Sequence, residues 1–63
     1  MNKDIYIDLL RNYPPYGDEF SIKAYLLGVL SCATKDPSIV QDDFNEILNV
    51  FSEIKTEVEN FHV

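Results

Sequence analysis

From Val40 onward, Phe44, Ile47, Phe51, Ile54, Val58 and Phe61 follow one another at alternating four- and three-residue steps without a break. Only an α-helix lines up such positions, because its turn returns every third or fourth side chain to one face, whereas a strand needs alternation at every second residue. The spacing predicts a helix of about 22 residues with a single apolar seam roughly 33 Å long at 1.5 Å per residue. Leu48 and Val50 flank and widen that seam. Bulky Phe44 and Phe51 suit a helical bundle better than a two-stranded coiled coil, whose core positions favour Leu, Ile and Val. Asp36 reads as the N-cap with Pro37 at the first helical position, and Ser38 with Gln41 forms a competing capping box. The helix is therefore expected over residues 37–60.

Two shorter segments precede it. Ile5, Leu9 and Tyr13 fall at four-residue steps with Tyr6 and Leu10 beside them, predicting a helix over about 3–11. Asn2 is a candidate N-cap, and Asp4 suits the positive end of the helix dipole. The helix should stop before Pro14, since a residue preceding proline is pushed out of the helical region. Tyr13-Pro14-Pro15-Tyr16-Gly17 then forms a stiff loop that carries two rings.

The middle helix is expected over 19–34, capped by Asp18 or Ser21. Its apolar side chains surround nearly the whole circumference, which predicts a central, buried position. Ser21, Gly28 and Cys32 make a line of small side chains, interrupted by Tyr25, that reads as a contact groove. Gly28 costs about 1 kcal/mol of helix propensity unless another backbone approaches closely there.

Sixty-three residues make one domain at most, read here as a single helical domain over 1–63. In a chain this short, apolar burial barely matches the entropy of ordering the backbone, and with a single Cys32 there is no internal disulfide to help. A short first helix has little to cover an all-round apolar second and a wide third. The expected fold class is all-α, a small three-helix bundle completed by homodimerisation, with Gly28, Cys32, Phe44, Ile47, Phe51, Ile54 and Val58 as core or self-association residues. The alternative is a monomeric three-helix bundle.

The net charge of −6 is unevenly placed. Up to Lys35 acids and bases cancel; beyond it Lys55 stands alone against Asp36, Asp42, Asp43, Glu46, Glu53, Glu57 and Glu59. Such a balance argues against nucleic acid, whose phosphates require clustered Lys and Arg, and against anionic lipid. The most apolar run, Ala24 to Ala33, is far short of the roughly 20 residues of a membrane span. Acidic Asp4 and Asp8 interrupt the first apolar stretch, so no secretory signal is expected, and the lone cysteine suits a reducing, cytoplasmic compartment. Asp42, Asp43, Glu46, Glu53 and Glu57 lie mostly off the seam and form an acidic ridge. The plainer reading of that ridge is a solvated face; the sharper one is a surface that docks on a basic protein.

Catalytic chemistry is thin. His62 is the only imidazole and stands next to the last residue, and Cys32 falls in apolar sequence, where a thiol acts as a small hydrophobe. Glu59 and His62 have the Glu-x-x-His spacing of di-iron bundles, but only one copy exists and Phe61 holds the seam position of that turn. Asp42, Asp43 and Glu46 lack the glycine-turn loop of a calcium site. Neither a metal nor another cofactor is expected. Tyr13 and Tyr16 remain as a second candidate partner surface, or as a lid on the end of the bundle. The sequence thus points to a non-enzymatic protein–protein interaction module. Its expected role is a small acidic binder that acts as an inhibitor, antitoxin, immunity or anti-defence factor, with a structural or assembly subunit of a larger helical complex as the alternative.

Overall fold

Each segment with helical apolar spacing forms a helix in the computed structural model, which describes residues 3–14 and 17–61. They are α1 (Lys3–Arg11), α2 (Glu19–Lys35) and α3 (Gln41–Phe61), each packed against the other two. The described residues contain no strand. Asn2, Pro15, Tyr16 and His62, and the side chain of Phe61, lie outside what is described.

The central element is α3, not α2. Its seam buries Ile47, Phe51, Ile54 and Val58, which meet Ile22, Leu26, Val29 and Ala33 of α2 and Tyr6 and Leu10 of α1 in one continuous core. Phe44 and Val50 pack on that core while partly exposed. Only one face of α2 is covered; on the other, Phe20 is 80% and Leu27 56% exposed. The all-round apolar pattern of α2 therefore does not mark a helix buried on every side, because α1 and α3 both lie on the same side of it. Gly28 and Cys32 are exposed, and a Cβ built at Gly28 meets nothing within 4 Å. Within one chain the line of small residues is a bare surface, not part of the core.

The face of α1 is also turned from the expected one. Tyr6 and Leu10 are buried and Tyr13 packs beside them, a four-then-three stripe, while Ile5 and Leu9 are exposed. Asn12 ends the helix, its backbone N–H and its side-chain amide both donating to the Asp8 carbonyl, at 2.9 and 2.7 Å. Asp18 caps α2 by accepting from the Ser21 N–H at 2.7 Å.

The start of α3 is four residues later than Pro37. Asp36 is engaged elsewhere: its N–H donates to the Ala33 carbonyl at 3.2 Å and closes α2, while its carboxylate accepts from the Ser38 N–H at 2.9 Å and the Ser38 hydroxyl at 2.7 Å. Ile39 N–H returns to the Asp36 carbonyl at 3.2 Å, so residues 36–39 form a turn and not a first helical turn. This is the local bonding by which Asp and Ser side chains compete with helix. The capping box fails for a related reason, since Ser38 is bonded to Asp36 and Gln41 donates to Asn45 at 3.0 Å. The helix begins where the Val40 carbonyl accepts from Phe44 N–H, leaving the Val40 side chain outside the core.

The accessible surface is 4317 Å². Size scaling for folded monomers gives about 4,200 Å² at this mass. A single chain thus closes its core about as well as small proteins of its size do, and the leftover apolar surface is spread over Ile5 and Leu9 of α1, Phe20 and Leu27 of α2, Val40 and Leu48, with Phe20 the most exposed of these. Ile47→Ala, at a fully buried position, should lower unfolding free energy by about 2–5 kcal/mol in urea titration. Gly28→Ala, with open space around it, should raise stability by up to about 1 kcal/mol in the same experiment.

Candidate functional site

The helical turn sets Asp42, Glu46, Glu53 and Glu57 in one row along a flank of α3, clear of its buried seam and about 22 Å long at 1.5 Å per residue. All four are exposed. The fifth predicted member, Asp43, sits at the edge facing α1 and is half-buried. Lys3 reaches across from α1, with its ammonium 2.9 Å from Glu46 and 3.9 Å from Asp43. These carboxylates raise the Lys3 pKa, chiefly through the hydrogen bond to Glu46. On the other edge, Lys23 of α2 lies 2.8 Å from Glu59 and 3.7 Å from Glu19. The hydrogen bond between Lys23 and Glu59 raises the lysine and lowers the carboxyl, against a burial effect that opposes both.

Charge on α3 is therefore divided. Asp43, Glu46 and Glu59 are tied to the lysines of neighbouring helices. Asp42, Glu53 and Glu57 form the crest, exposed and without an ion pair among the described residues. Lys3 and Lys23 were not singled out by the sequence reading, since their partners lie in another helix and no local spacing reveals them.

A second polar feature the sequence did not signal sits at the junction of α1 with the α2–α3 turn. The Tyr6 hydroxyl donates to Asp36 Oδ2 at 2.6 Å. This bond, with those from Ser38, holds the Asp36 carboxyl far below the usual carboxylate range, and it pushes the Tyr6 phenol up to about 12. A comparable anchor is the Tyr25 hydroxyl, which donates to the Leu9 carbonyl at 2.8 Å and ties α2 to the end of α1.

The outward side of α2 differs in character. Phe20, Ala24, Leu27, Gly28 and Ser31, all exposed, recur at helical spacing opposite its buried face. Beside this strip, a groove of 140 Å³ opens between α2 and α3, lined by Lys23, Leu26, Leu27, Phe51 and Lys55. Of the tyrosine loop, Tyr13 is half-buried against the core. Cys32 is exposed and lies outside the core of the single chain, at an edge of α2 and not on its buried face. Among the described residues no polar side chain is buried and no three metal-ligating side chains converge. No helix among them is long and apolar enough to cross a membrane. Against protein-family models, curated proteins and solved structures, the chain finds no match.

The Tyr6–Asp36 bond should be visible in the pH dependence of stability. A depressed Asp36 contributes stability that is complete above its ordinary 3.8 and lost as pH falls through the lowered value. A raised Tyr6 contributes below its ordinary 10.0 and loses that contribution as pH climbs through about 12. Tyr6→Phe should lower the thermal midpoint at neutral pH, and its deficit relative to the native chain should shrink toward both extremes, as read by circular dichroism melts. Part of the acid limb should survive, because Ser38 still bonds Asp36.

Proposed function

We propose that the protein acts by binding other proteins and not by catalysis, as a small acidic helical module set against a basic or catalytic protein surface. An inhibitor, antitoxin, immunity or anti-defence factor works in this way. The observation that carries the reading is the crest of α3, where Asp42, Glu53 and Glu57 stand exposed without an ion pair among the described residues. Carboxylates already neutralised internally contribute little to a partner, whereas a row left unpaired supplies field and orientation. An exposed Cys32 fits a reducing setting, and we place the protein in the cytoplasm.

An assembly role is the second reading, favoured by the exposure of Phe20 and Leu27 on α2. A second copy of the chain is the partner proposed for that face.

The two readings separate by mutation. Reversing Asp42, Glu53 and Glu57 to Lys should abolish capture of a basic partner by at least about tenfold in affinity while leaving helicity intact. Binding should also weaken steeply with added salt. Capture that survives both changes, but fails on changes to the α2 strip, would overturn the acidic-binder reading in favour of assembly. Asp43 and Glu46 are poor positions for this test, because each is paired with Lys3 and its reversal disturbs the α1–α3 contact.

A further inference from the structure

Among the described residues the most exposed large apolar side chain is Phe20, the second residue of α2. A few residues further along the same helix lies the 140 Å³ groove walled by Leu26, Leu27 and Phe51 and rimmed by Lys23 and Lys55. An apolar cavity of about 150 Å³ accepts benzene. The groove is therefore of a size for one phenyl ring, and the molecule carries such a ring in the open beside it. Both belong to one continuous surface, since Lys23 and Leu27 also line the shallow depression against Glu19, Phe20 and Ala24.

The charges match as well. Glu19 precedes Phe20, and the groove is edged by Lys55, which is exposed and has no ion pair among the described residues. A knob flanked by a carboxylate and a hole rimmed by an ammonium lie on the same face, separated along α2. That is the condition for an isologous contact, in which one patch complements itself across a twofold axis.

We propose that two copies pair through this face, each inserting Phe20 into the α2–α3 groove of the other, with Glu19 set beside Lys55 of the partner subunit. The axis crosses α2 near Lys23, whose charge is already met by Glu59 and Glu19. This arrangement lets two chains of net charge −6 approach, because the faces that meet are locally balanced and the acidic crest of α3 points away on both. It rests on the reading that the chain self-associates, and is independent of the role of the crest. Being built around one helix per copy, the contact falls at the small end of specific interfaces, and the dimer is reversible.

Sedimentation equilibrium across a wide concentration range, with circular dichroism as the control for folding, tests it. The native chain should show a monomer–dimer equilibrium, and Phe20→Ala should raise the dissociation constant by at least about tenfold at unchanged helicity, as loss of a central aromatic anchor does. Glu19→Lys and Lys55→Glu should each weaken the dimer, and the double variant should recover it. In mixed isotope-labelled samples, intermolecular NOEs should link the rings of Phe20 and Phe51. A native chain that stays monomeric throughout would sink both the inference and the self-association beneath it. A dimer that persists in Phe20→Ala, or lacks those NOEs, would leave self-association standing and remove this interface.

Discussion

Everything in this fold depends on one helix offering a seam long enough for two others to share. Ile47, Phe51, Ile54 and Val58 are buried along α3, and the covered faces of α1 and α2 have no other surface of that length to lie on. With no polar side chain buried among the described residues, the core is held by apolar burial and close packing. The hydrogen bonds that fix the arrangement sit at its ends, where they are half-open to water. Tyr6 to Asp36 locks α1 onto the α2–α3 turn, and Tyr25 to Leu9 locks α2 onto the end of α1.

The same geometry sorts the charge. Lys3 and Lys23 project from the two helices that flank α3, and each meets the carboxylates at its own edge. Exposed pairs of this kind contribute little to stability. Their larger effect is to decide which acids remain free: Asp43, Glu46 and Glu59 are paired, whereas Asp42, Glu53 and Glu57 have no ion pair among the described residues. Two surfaces of opposite character result, an anionic crest on α3 and a locally balanced apolar strip on α2.

Much of the fold was legible in the residues themselves. The seam of α3, the end of α1 ahead of Pro14, the Asp18 cap and, among the described residues, the presence of helices and no strands all follow from spacing and local chemistry, because a helix's face and ends are set by residues within one or two turns. Where a local signal served two masters it misled. Asp36 has every property of an N-cap, yet its bonds to Ser38 and Tyr6 close a turn, and α3 begins at Gln41. The acidic ridge was legible as a row but not as two populations, since that division depends on lysines more than thirty residues away in the chain.

What only the tertiary structure decided is which apolar surface is covered. Composition assigned α2 to the middle of the bundle, and Gly28 and Cys32 to the core or to self-association; packing put α3 in the middle and left those two residues outside the core of the single chain. A sequence states how apolar a helix is on each side, but not how many neighbours it has or where they lie. Those follow from the angle at which three helices of unequal length can jointly bury their faces, a property of the assembled chain and not of any one segment.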